Sequence, residues 1–84
     1  MKLIKISALW CPSCLVMNDI IDDVINEKNI DLIKYDFDLD QEIVEKYNVG
    51  NILPVVIKID ENENEIDRIV GEHSKKEIVE FIEG

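Results

Sequence analysis

A change of hydrophobic period at Pro12 constrains this chain more than any other feature. Lys2 to Ala8 alternate, with Ile4, Ile6 and Ala8 on one face, which is the two-residue period of a strand. From Pro12 onward Cys14, Met17, Ile21 and Val24 recur at spacings of three, four and three, with Ile20 and Ile25 broadening the stripe. That is the pattern of an amphipathic helix. It fades over Asn26 to Asn29, where Asn29 suits a left-handed C-cap. Ile33, Tyr35 and Phe37 then alternate with Leu32, Lys34 and Asp36, giving a second strand. Two strands joined by a helix must lie parallel, with a right-handed crossover.

The remainder of the chain adds elements to that unit. Asp38 or Asp40 can cap a short helix carrying Ile43, Val44 and Tyr47. Strands over Val55 to Ile59 and Glu65 to Val70 flank the polar turn Asp60-Glu61-Asn62-Glu63-Asn64, a hairpin signature that Gly71 ends. Ser74 and Glu77 have capping-box spacing, opening a last helix with Ile78, Phe81 and Ile82 facing inward. The order β-α-β-α-β-β-α predicts an α/β fold. Its four-stranded mixed sheet carries helices on both faces, within one domain over residues 1–84.

Charge narrows the partners. Nine Lys and Arg against nineteen Asp and Glu leave a formal net charge of −10. Nucleic-acid phosphates and anionic bilayers both call for a basic face, so neither is an expected partner. The same charge leans towards a monomer, and the acidic turn from Asp60 to Glu65 helps repel acidic partners. Hydrophobic residues at 46% suffice for a packed core. No apolar run approaches the ~20 residues of a membrane span, and the charged, short opening Met1 to Ser7 does not resemble a signal peptide's apolar segment. A cytoplasmic location is the expectation.

Chemistry concentrates in Trp10-Cys11-Pro12-Ser13-Cys14, which lies where a strand ends and a helix begins. Cys11 and Cys14 are the only cysteines, and a bridge across so short a loop removes little entropy from the unfolded chain. A structural disulfide would also not persist in a reducing compartment. Pro12 suits the first helical turn, where a missing N–H goes unnoticed. Cys11 then stands at the helix N-terminus, where unpaired amides and the dipole favour a thiolate, and is expected to be exposed. Cys14, on the face of Met17 and Ile21, is expected to be shielded. Cys11 as nucleophile and Cys14 as resolving thiol is the division of labour that disulfide exchange requires. Three other readings remain. A structural zinc site takes four ligands, and the single His73 lies far along the chain. A metal or cluster could be shared across a dimer. The cysteines could also be small core residues.

The chain resembles the thioredoxin-like superfamily over nearly its full length. The Trp-Cys-x-x-Cys opening of the first helix is one match, and Lys34-Tyr35-Asp36-Phe37-Asp38 in the second strand is another. Glu45 to Val49 followed by Pro54 resembles the approach to the family's conserved-position proline. Val70-Gly71, Ser74-Lys75 and Phe81-Ile82 resemble its final strand-to-helix segment. The resemblance implies a dithiol–disulfide oxidoreductase acting on protein disulfides. It needs no bound cofactor, because the dithiol is the redox group, and a flavin-containing disulfide reductase would regenerate it. It also implies a cis peptide before Pro54, with Pro54 and the Leu53 backbone holding substrate, and Trp10, Pro12 and Ser13 contacting it.

Several positions depart from the pattern. The chain opens directly on the strand before the cysteines. Lys5 stands six residues before Cys11, where thioredoxins keep a buried Asp, and is expected at the strand surface. The stretch before Pro54 holds one extra residue, and Val55 replaces a usual Thr. Ile52-Leu53-Pro54 and Val70-Gly71-Glu72-His73 lack the donors with which glutaredoxins grip glutathione, so a glutathione-coupled reductase is the alternative enzyme. A non-catalytic binding module, or a dimer-bridged metal protein, is the alternative outside enzymology. His73 is expected at the surface near the Ser74 cap.

Overall fold

The structure, a computed structural model, describes residues 2–84; Met1, the first residue of the domain read from sequence, lies outside the described residues. The elements are β1 (Lys2–Ser7), α1 (Pro12–Lys28), β2 (Asp31–Asp36), α2 (Gln41–Lys46), β3 (Val55–Ile59), β4 (Glu65–Val70) and α3 (Lys75–Glu83). The strands form one sheet in the order β2-β1-β3-β4. β1 and β2 pair in parallel, as the intervening helix demands, and the other two pairings are antiparallel. The order β-α-β-α-β-β-α and the mixed sheet match the expectation from periodicity.

Central strands covered on both sides explain why β3 is buried along its whole length. On one face Ile4, Ile6, Val55, Ile57 and Ile59 pack with Tyr47 and with the half-buried Ile43 and Val44 of α2. On the other, Leu3 and Val56 meet Met17, Ile21 and Val24 of α1 together with Ile78, Phe81 and Ile82 of α3. Ile57 has no exposed surface. Ile57→Ala is expected to cost about 2–5 kcal/mol, a large part of the roughly 4–13 kcal/mol that an 84-residue domain possesses. Urea unfolding followed by circular dichroism checks this; an unchanged midpoint would contradict the packing.

The caps carry the helix boundaries. Asn29 ends α1 at φ 54°, in the left-handed region. The Ser74 hydroxyl accepts from the Glu77 amide while the Glu77 carboxylate accepts from the Ser74 amide, the reciprocal box the spacing predicted. Asp40 occupies the N-cap of α2 but makes no side-chain cap; its Oδ2 instead accepts from the Asp36 amide at 2.8 Å. The hairpin turn is held by Asp60, whose Oδ1 accepts from the amides of Asn62 and Asn64. Glu63 sits there at φ 64°, and its carbonyl accepts from the Tyr47 hydroxyl at 2.7 Å. A register shift beside Lys58 and Ile59 pairs Ile59 with Glu65 and leaves Ile66 exposed.

Candidate active site

The sheet register gathers four loops at one end. Ile6 pairs with Tyr35 on one side and Val55 on the other, and Val55 pairs with Val70. The chain leaves β1, β2 and β4 at this level and enters β3 here. The segments Ala8–Cys11, Phe37–Asp40, Leu53–Pro54 and Gly71–His73 therefore crowd the same rim.

Cys11 is the N-cap of α1, with Pro12 as the first helical residue. Its backbone is extended (φ −97°, ψ 110°), and its Sγ accepts from the Cys14 amide at 3.3 Å, the bond a Ser or Asp oxygen makes at an ordinary cap. The Cys11 thiol in turn donates to the Leu53 carbonyl at 3.6 Å. Both cysteines are free thiols. Cys11 is not exposed as expected: it is 6% accessible, because Leu53, entering β3, closes over the sulfur. The expected order nevertheless holds, since Cys14 is 1% accessible. Burial first, and then the side-chain hydrogen bond with Cys11, push the Cys14 thiol up to about 11.

The substrate-facing candidates surround the pair. Trp10 is 58% exposed; its indole N–H donates to Asp38 Oδ2 at 2.7 Å, and its ring meets Phe37 edge-on at 6.1 Å. Pro12 is exposed and Ser13 half-buried, while Leu53 and Pro54 are buried, and the Leu53–Pro54 peptide is cis. The Pro54 carbonyl accepts from the Gly71 amide at 2.9 Å. Gly71 holds φ 83°, and a Cβ there would lie 3.3 Å from Ile52, so a side chain would be strained on both counts. Leu9, Trp10, Leu39, Ile52 and Val70, all exposed, fringe this end with apolar surface. His73 is half-buried and turned to α3, its ring between Glu77 Oε2 and the Val70 carbonyl. Among the described residues, no three His, Cys, Asp or Glu side chains gather where they could hold a metal ion.

Lys5 corrects a second expectation. It is 3% accessible rather than at the surface, because β1 is central and helix-covered. Its Nζ donates to Asn18 Oδ1 at 2.7 Å. Burial and the neighbouring Lys34 hold its pKa below the usual lysine value, against a smaller opposing effect of Asp22 and Cys14. Lys34, its partner in the ladder, is exposed and lies 3.5 Å from Asp22. Asn18 is not singled out by the sequence, and Asp38 reads there only as part of the second-strand match and as a possible helix cap, not as a partner of Trp10. Each had a signal: Asn18 is one turn beyond Cys14, and Asp38 follows the strand that ends beside β1.

A strand-to-helix turn presenting a Cys-x-x-C pair beside a proline loop defines a protein of thiol–disulfide exchange. The chain belongs to the thioredoxin family, whose model matches residues 1–84. Its fold is similar to that of thioredoxin 1 from the thermophilic eubacterium Thermosipho africanus (26% identity, TM-score 0.86), covering 99% of this chain and 91% of that one. It is also similar to Schistosoma mansoni thioredoxin (23% identity, TM-score 0.86), covering 98% of this chain and 75% of the other. Fasciola hepatica thioredoxin gives 23% identity and a TM-score of 0.84, with 98% and 77% covered. No curated protein sequence matches the chain.

Proposed function

We propose that this protein is a dithiol–disulfide oxidoreductase that reduces protein disulfides. The observation that carries the reading is the Cys11 sulfur capping α1 while accepting from the Cys14 amide. An acceptor position beside a helix N-terminus suits a sulfur that must carry negative charge. Cys11 attacks one sulfur of a substrate disulfide; a mixed disulfide forms and the first substrate thiol leaves. Cys14 then attacks Cys11 Sγ, the mixed disulfide breaks, and the second thiol departs. Two electrons pass from the dithiol to the substrate.

The substrate side of this reading rests on the rim. Exposed Leu9, Trp10, Leu39, Ile52 and Val70 suit an apolar peptide segment better than a small anion. Pro54 and the Leu53 backbone are the proposed clamp, with Trp10, Pro12 and Ser13 as flanking contacts. The thiol pair is the redox group, so the cycle calls for no bound cofactor. A disulfide reductase in a cytoplasmic setting is the proposed electron donor.

The test is the reduction potential of the couple, equilibrated against thiol redox buffers and followed by Trp10 fluorescence. The expected value is near the roughly −270 mV of thioredoxins. A value of about −200 to −230 mV would assign the cycle to glutathione instead. Absence of a reversible two-electron transition would remove the enzymatic reading and leave a binding module.

A further inference from the structure

Lys5 is a buried ionisable group with no task in that cycle. Lys5 lies in a central strand between Ile4 and Ile6, with Lys34 as its direct partner on β2 and apolar Val56 on β3. An apolar side chain would fill this place without the cost of burying an ammonium beside a like charge. Among the described residues the ammonium is instead held by one hydrogen bond, to Asn18. Asn18 stands four residues after Cys14, so the two side chains are neighbours on one helix face. The hydrogen bond thus tethers the Lys5 charge to the turn that carries the resolving thiol.

We propose that Lys5, held by Asn18, is a positioning residue for the resolving step, its ammonium offsetting the negative charge that buried Cys14 acquires when it attacks. The inference rests on the dithiol reading above. In the step, Cys14 loses its proton to solvent and its thiolate bonds to Cys11 Sγ. The Cys11–substrate bond breaks, and the departing thiolate takes up a proton. The mutual effect of the two groups agrees with this: Lys5 lowers the Cys14 pKa, and Cys14 raises that of Lys5. The groups facing Cys14 are Cys11 at the cap and Lys5 from β1. Those facing Lys5 are Lys34 from β2, and Asp22 and Cys14 from α1.

The experiment uses the reduced protein and an aromatic disulfide whose thiol is coloured when released. Release of the first thiol reports attack by Cys11; the concentration-independent release of the second reports resolution by Cys14. Lys5→Met is expected to move the pH profile of the second release upward by roughly half a unit, making it about threefold slower at neutral pH. The same variant is expected to be more stable than the parent. That gain is full below the lowered Lys5 pKa and shrinks as pH rises to 10.5, where the unfolded lysine also discharges. Asn18→Asp keeps an acceptor for Lys5 but cancels its charge, so it should fold normally and shift the profile in the same direction. It decides the matter alone if Lys5→Met does not fold. Parental pH profiles in the folded variants overturn the proposal while leaving the dithiol cycle intact. A parent protein that releases only one thiol overturns the cycle, and this inference with it.

Discussion

Cys11→Ser is expected to reduce multi-turnover disulfide reduction to the uncatalysed background, whereas Cys14→Ser stops the protein halfway through a cycle. The two sulfurs differ in position. Cys11 Sγ caps the helix and accepts the Cys14 amide, on the side of the apolar rim. Cys14 is one turn deeper, packed on the face of Met17 and Ile21. A serine hydroxyl at the cap would keep the hydrogen bond but lacks the nucleophilicity of a thiolate. With Cys11 present and Cys14 replaced, the first exchange proceeds and no thiol remains to release the product. Dithiothreitol-driven reduction of a protein with interchain disulfides measures the first variant. Non-reducing electrophoresis measures the second, in which dithiothreitol-sensitive adducts accumulate. Sustained turnover by Cys11→Ser, or an absence of adducts with Cys14→Ser, would rule out the assigned roles.

Much of this arrangement is written in the sequence because local rules and tertiary packing agree. The stripe Cys14, Met17, Ile21 and Val24 is the set of residues that α1 buries. The box at Ser74 and Glu77 opens α3, and both strands of the hairpin have the bounds expected from the polar turn they flank. Such agreement is what makes a short chain specify one fold. The failures share a cause: they depend on what another element brings. Lys5 looks like a surface charge when its strand is taken alone. In a strand flanked by β2 and β3 and covered on both faces, neither side of the ladder offers water. Cys11 is covered by Leu53, which lies 42 residues further along the chain. Asp40 has the identity and position of a cap, yet its carboxylate is claimed by the Asp36 amide. Residue types in a spacing locate the chemistry; the contacts across the sheet end decide which group serves it.

Cys14 should resist alkylation strongly in the folded protein. Its pKa, displaced from 9.0 to about 11, leaves about a hundredfold less thiolate at neutral pH than an unperturbed thiol. Only the thiolate reacts with iodoacetamide, and 1% accessibility hinders the reagent further. Brief labelling at pH 7 followed by peptide mass spectrometry is therefore expected to find adducts on Cys11 and almost none on Cys14. Labelling of Cys14 should keep rising above pH 9 and level off only near 11, while urea should bring both residues to similar rates. Equal labelling in the folded state at pH 7 would contradict the shielding of Cys14. The causes of the shift also bear on the order of steps in the proposed cycle. Burial contributes most, but the hydrogen bond with Cys11 and the charge on Cys11 also raise the Cys14 pKa. A Cys11 sulfur tied into a mixed disulfide carries no negative charge, neither to accept from the Cys14 thiol nor to repel its thiolate. Burial then acts alone against the Ala8 backbone and Lys5, which both favour the thiolate. In the proposed cycle Cys14 is therefore expected to stay a thiol while Cys11 is reduced, and to ionise more readily in the mixed disulfide.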